Sequence, residues 1–331
     1  MVIEKQNIKP YVFDTLTHFM TEHTVDLKKP LGIAGYMSFV DTWSNPNIRA
    51  INLMSGACPK YQRGNKKIIP CKWEIRDGRL EEFAYEIEGD KVIEKPVETD
   101  CYHEVDEIVQ QKLKAVSKEH PELKLFYSSM VHPKRTRVED LERLIEETGE
   151  NLLGIKVHGV LTASGPDDFN PELARAIAKS RIPLLIHTDY DSRDVPTEIK
   201  SMNDARIYVQ RLNNSRDWVN FCLKYGIRAA LQHGARNDKE VYRIVKSNSD
   251  QFIVGLGPVI EGQGPRMVEK TDDYVKAVFE NLGPEHVVFN TDYPHNDPGE
   301  DLTRDIEKLL SSSEQEKVYH QNAEKFFGVS I

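Results

Sequence analysis

The feature that most constrains this chain is a repeated alternation of short apolar, β-branched runs with amphipathic stretches of helical period. Strand-like runs fall at 11–18, 49–54, 125–131, 154–158, 184–187, 228–233, 252–257 and 287–292. Helical patterns stand between or after them at 103–119, 138–147, 171–179, 215–224, 239–246, 271–281, 301–310, 313–320 and 322–327, with Gly283 and Pro284 as stop signals. Strand-then-helix units repeated in this way specify parallel strands covered by helices. Eight of them predict a closed (β/α)8 barrel rather than an open doubly wound sheet.

One segment breaks the rhythm. Residues 56–100 carry a basic stretch at 61–67 and alternating runs at 72–76, 82–88 and 91–97, separated by Asp77-Gly78 and Gly89-Asp90. The pattern predicts a small β insertion after the second strand, leaving from the barrel face where active sites lie. A lid over the substrate pocket and an oligomer-contact hairpin are equally consistent with it. The chain as a whole, 1–331, is expected to be a single barrel domain carrying this insertion.

Composition narrows the function classes. A formal net charge of -9 and the lack of a long basic run argue against nucleic acid and anionic membranes. The longest apolar run, 31–40, is too short to cross a bilayer, and no signal-peptide pattern opens the chain, so a cytoplasmic location is expected. Cys58, Cys71, Cys101 and Cys222 form no CxxC pair, in keeping with reduced thiols. A structural zinc site from Cys58, Cys71, Cys101 and His103 has irregular spacing and is the weaker reading of those residues.

Several strands end in a ligand-type residue: His18, His158, His187, His233 and Asp292. An isolated histidine is more often a satisfied core or surface group. Independent strands ending this way on one barrel face instead point to a common centre. By strand parity Asp14, Leu16 and His18 share a face of the first strand.

These residues carry a resemblance. The first strand, Asp14-Thr15-Leu16-Thr17-His18, is similar to the Asp-x-His-x-His opening of amidohydrolase-related enzymes. Lys156-Val157-His158, His187-Thr188, His233-Gly234-Ala235, the Thr-Asp-Tyr-Pro of residues 291–294 and the closing stretch 322–328 follow in that family's order. The family includes decarboxylases acting on aminocarboxymuconate semialdehyde and a pyrone dicarboxylate lactonase.

The resemblance implies metal positions at His18, His187 and Asp292, with His233 as a ligand or catalytic residue. Asp292 would be the proton-transfer group, and Lys156, His158, Arg193, Arg236, Tyr293 and His295 would line the substrate pocket. Leu16 departs from the pattern, because it replaces the first metal-binding histidine and leucine donates no lone pair. Three ligands plus water still make a catalytic site for a divalent metal, zinc being the first expectation.

The resulting expectation is a metal-dependent hydrolase of an amide, lactam or lactone bond in a small carboxylate-bearing molecule. Its rivals are a non-oxidative decarboxylase of an aromatic or enoic acid, a metal-free lactonase-type hydrolase, and a non-catalytic barrel that binds a ligand. A homodimer is left open.

Overall fold

The computed structural model describes residues 9–19, 47–55, 61–77, 79–188, 211–257, 260–261, 268–269, 272–293 and 299–331; for some of these, His18 among them, only the backbone is described. The first strand is β1 (Val12–Phe19) and the second β2 (Ile48–Ser55). The insertion contributes β3 (Tyr61–Arg63), β4 (Lys66–Arg76), β5 (Arg79–Glu88) and β6 (Lys91–Lys95). The barrel resumes with β7 (Lys124–Met130), β8 (Leu152–Val157), β9 (Leu184–Ile186), β10 (Ala229–Leu231) and β11 (Phe252–Gly255). A short pair, β12 (Ile260–Glu261) and β13 (Val268–Glu269), precedes the last barrel strand, β14 (Val287–Val288).

The main sheet has eight parallel strands in the order β1-β2-β7-β8-β9-β10-β11-β14. It closes on itself. Thr17 bridges Tyr293 in parallel, and the Asp292 and Thr15 amides donate to the Leu16 and Phe289 carbonyls at 2.8 and 3.1 Å. The fold is therefore the (β/α)8 barrel expected from the strand count. Its strands are covered on both faces, which is why β8 is buried throughout and reads as an almost continuous apolar run.

Helices α1 (His103–Glu119), α2 (Val138–Thr148), α3 (Gly159–Thr162), α4 (Pro171–Ser180), α5 (Ser215–Tyr225), α6 (Lys239–Ser247) and α7 (Asp272–Leu282) follow the strands. They are succeeded by α8 (Gly299–Leu309), α9 (Ser312–Glu316) and α10 (Asn322–Phe327), with a π turn at Lys317–Gln321 where an unbroken helix over 313–320 was expected. The starts are set by capping. Asn170, Asn214 and Asp238 each accept a backbone N–H from the first turn they precede, supplying a partner that the helix itself lacks.

Two apolar cores result. An outer one, from Val12 through Trp218 and Phe289, lies between strands and helices. The inner one fills the barrel with Phe13, Leu16, Phe126, Leu153, Leu185, Ala230, Ile253 and Val288, and Ala323 and Phe326 from α10 pack into it. Simple parity along β1 does not hold: the register with β2 shifts between Asp14 and Thr17, so Phe13 and Leu16, three apart, both face inward. Leu16 is thus part of the barrel filling.

The insertion is a four-stranded antiparallel sheet, β3-β4-β5-β6. The basic stretch at 61–67 is itself the first hairpin, Tyr61 pairing with Ile68. Asp77 and Gly89 take φ of 50° and 57° at the tight turns. The sheet leaves from the C-terminal end of β2 and is tied to the loop after β7, where Glu82 meets His132 at 2.9 Å and Arg135 at 2.5 Å.

Candidate active site

The C-terminal ends of the barrel strands gather most of the polar groups singled out from the sequence. On β8, Ile155 and Val157 face the outer core, so Lys156 and, one step beyond the strand, His158 face inward; both are buried. Leu185 faces the inner core on β9, and His187 continues that face. The His158 and His187 rings stack, with centroids 3.8 Å apart and planes 16° from parallel.

His233 arrives by a different route. Ala230 faces inward and Leu231 outward, so simple alternation would put Gln232 inside and His233 outside. The strand ends there instead, in a left-handed turn from His233 to Asn237 with φ between 46° and 55°. Left-handed conformations cost an L-residue roughly 1–2 kcal/mol each, so the surrounding structure must hold them. Tyr242 contributes to that hold: its hydroxyl donates to the Gly234 carbonyl at 2.6 Å. Gly234 itself must lack a Cβ, which would lie 1.8 Å from the Tyr274 hydroxyl. His233 Nε2 stands 3.0 Å from His187 Nδ1, and one nitrogen donates to the other.

Asp292 lies beyond β14, nearly buried, with φ of 58°. Its placement traces to Asp14, a fully buried carboxylate. Asp14 Oδ1 accepts the Thr291 and Leu16 amides at 3.1 and 3.3 Å, and its Oδ2 accepts the Thr291 hydroxyl at 2.6 Å. The motif aspartate of β1 thus clamps the residue next to Asp292.

Beneath these groups lies a polar pair that sequence reasoning missed. The Asn290 amide donates to Gln232 Oε1, and both side chains are fully buried. Their signal was parity: each stands two residues beyond an inward apolar residue, Val288 and Ala230. Gly255 makes room for them, since a Cβ there would lie 2.4 Å from Gln232 Oε1 and 2.6 Å from Asn290 Nδ2.

Of the other expected pocket residues, Arg236 is half-buried inside the left-handed turn. Tyr293 packs in the outer core. Arg193 and His295, and the side chain of His18, lie outside the described residues. Among the described residues, no group of three His, Cys, Asp or Glu side chains is gathered closely enough to hold a metal ion. The zinc site drawn from Cys58, Cys71, Cys101 and His103 does not form around the described members: Cys71 and Cys101 pack together, while His103 Nε2 faces Glu107 at 3.4 Å, one helical turn along α1. Cys58 lies outside the described residues. No described helix is long and apolar enough to cross a membrane.

A closed parallel barrel whose strand ends present a histidine pair and a clamped aspartate defines a class of barrel in which loops and strand ends, not the scaffold, carry the chemistry. Within that class, the amidohydrolase family model matches residues 103–329, and the chain belongs to that family.

No curated protein sequence matches the chain. Solved structures do, at the level of the fold. The 5-carboxyvanillate decarboxylase of Sphingomonas paucimobilis superposes with a TM-score of 0.59 at 11% identity, covering 97% of this chain and 100% of its own. A 5-carboxyvanillate decarboxylase of Novosphingobium aromaticivorans, complexed with manganese and 4-hydroxy-3-methoxy-5-nitrobenzoic acid, gives 0.59 at 13% identity, with coverage of 98% and 97%. A probable 2-pyrone-4,6-dicarboxylic acid hydrolase of Acinetobacter baumannii with citric acid bound gives 0.53 at 13% identity, with coverage of 96% and 99%.

Proposed function

We propose that this protein is a hydrolase that cleaves an amide, lactam or lactone bond in a small carboxylate-bearing substrate at the C-terminal mouth of the barrel. The observation that carries the reading is the paired imidazoles of His187 and His233, on the same barrel face as Asp292, whose neighbour Thr291 is held by Asp14. Asp292 takes a proton from water and returns it to the leaving group. His233 donates a hydrogen bond to the oxygen on which negative charge develops, and His187 orients it. Lys156, a buried amine, and Arg236 supply cationic partners for the substrate carboxylate. Arg193 and His295 are assigned to the same pocket, and the insertion to its lid.

The family pattern calls for a divalent cation held by His18, His187 and Asp292 with His233 beside them; among the described residues the His187–His233 pair is the part of that set in contact. Such an ion, zinc by the sequence expectation or manganese by analogy with the Novosphingobium enzyme, supplies Lewis acidity that lowers the pKa of water and draws charge from a substrate oxygen.

The second reading is non-oxidative decarboxylation, supported by the two 5-carboxyvanillate decarboxylases among the structural neighbours. There Asp292 would deliver its proton to the carbon that loses CO₂. Turnover of a panel of lactones, cyclic amides and hydroxylated aromatic acids, with and without added zinc or manganese, separates the two. Two fragments incorporating water support hydrolysis; CO₂ release supports the second reading. Under either, Asp292→Asn lowers turnover by about 10²–10⁴-fold. An unchanged rate removes Asp292 from the chemistry.

A further inference from the structure

A second group of reactive side chains lies in the seam between the insertion and the barrel. Cys71 stands on β4 where its register with β5 slips, between Ile69 and Lys72. Cys101 lies after β6, two residues before α1 begins at His103. Both are free thiols, each 4% exposed, and they share one buried cluster with Tyr102 and Met130. The Cys101 thiol donates toward the Cys71 sulfur.

The groups facing Cys71 come from three elements. His132, after β7, has a fully buried side chain beside Cys71; its Nδ1 accepts the Lys134 amide at 3.2 Å, and its Nε2 lies 2.9 Å from Glu82 Oε1 on β5. Arg135 Nε donates to Glu82 Oε2 at 2.5 Å. Burial alone would raise the Glu82 carboxyl, but His132 and Arg135 bring it down to about 2. Burial works against a charged His132, yet the bonds to Cys71 and Glu82 raise it above its ordinary value. The bond from Cys101, together with His132, lowers Cys71 to about 6 against its burial, whereas Cys101 is pushed up. Cys222 shows the contrast: it is buried, and desolvation alone pushes its thiol well up. The same contact that favours a thiolate at Cys71 keeps Cys101 protonated.

We propose that Cys71 and Cys101 are a peroxide-sensing pair that closes to a disulfide and ties β4 of the insertion to the segment entering α1. A cavity of about 390 Å³ reaches the seam on the Cys101 side, lined by Ile69, Pro70 and Cys101 among others. The Cys71 thiolate attacks one peroxide oxygen, the O–O bond breaks, and the departing hydroxide takes up the proton that Cys71 released, leaving as water. Cys101 then attacks the sulfenic sulfur of Cys71. The S–S bond forms, and the displaced hydroxide leaves as a second water with the Cys101 proton. In sum, two thiols and one peroxide give a disulfide and two waters.

The test uses the full chain, treated with hydrogen peroxide and digested without reduction. A linked Cys71–Cys101 peptide pair is expected, with two thiols lost and restored by dithiothreitol. The oxidised protein should melt higher by on the order of 5 °C, because the bond constrains a long loop of the unfolded chain. Iodoacetamide labelling of Cys71 in the untreated protein should follow a midpoint near 6. That midpoint should rise in Cys101→Ala, which removes the bond that lowers Cys71 most, and in His132→Gln. Recovery of both thiols unlinked after Cys58 has oxidised would overturn the proposal. So would one equivalent of zinc that purifies with the wild type and is lost in Cys71→Ser, because the cluster would then be a metal site.

Discussion

Asp14→Ala is the sharpest probe of how the barrel holds its candidate catalytic carboxylate. Asp14 is fully buried and accepts the Thr291 hydroxyl at 2.6 Å, the Thr291 amide at 3.1 Å and the Leu16 amide at 3.3 Å. Alanine removes both acceptor oxygens, and with them three hydrogen bonds, leaving the Thr291 amide and hydroxyl and the Leu16 amide to find other partners. Each orphaned buried group costs about 1–3 kcal/mol, so the expected loss is about 2–5 kcal/mol. Urea unfolding reads this as a lower midpoint at unchanged slope. Asp14→Asn keeps an acceptor for the amides, and the Thr291 hydroxyl can rotate to accept from the new NH₂ group, so it should cost only about 1 kcal/mol. Because Thr291 adjoins Asp292, the alanine variant should also lose turnover on the order of 10²-fold through misplacement of the carboxylate. If both variants unfold within about 0.5 kcal/mol of wild type, the clamp holds nothing and the account of Asp292 fails.

Gly255→Ala should disrupt the floor of the mouth, since its Cβ would lie 2.4 Å from Gln232 Oε1 and 2.6 Å from Asn290 Nδ2. A destabilisation of about 2–4 kcal/mol in the same unfolding assay is expected, and a neutral result would mean that the two amides can separate freely. Asp106 gives a pH signature: burial, opposed by donors from Ser129 and Tyr127, raises its carboxyl to about 7. The folded state then holds the proton more tightly than the unfolded chain. This contribution is fully present below about 3.8 and is lost as pH rises through about 7. The loss amounts to at most about 4 kcal/mol. Asp106→Asn should flatten that part of the stability profile, and an identical slope in the variant would reject the assignment.

The barrel was legible because a strand covered on both faces must be almost wholly apolar, and a helix on its outside must repeat every 3.6 residues. Local pattern therefore located β9 at the Leu-Leu-Ile run and α1 at His103–Glu119. The inward placement of His187 followed from the same logic, since Leu185 inward implies His187 inward.

The contacts that give those residues their roles were not legible, because they join positions far apart in the chain through deviations from ideal geometry. The register slip in β1, the left-handed turn at His233 and the Asp14–Thr291 clamp each bridge or break the local period. The seam at Cys71, Glu82, Cys101 and His132 draws on segments whose meeting depends on how the insertion folds back onto the barrel. Periodicity belongs to neighbours along the chain, and so the sequence determined most of the elements and the inward faces of those strands that keep a regular register. Which side chains meet is set by closure of the barrel, and only the tertiary structure decided that.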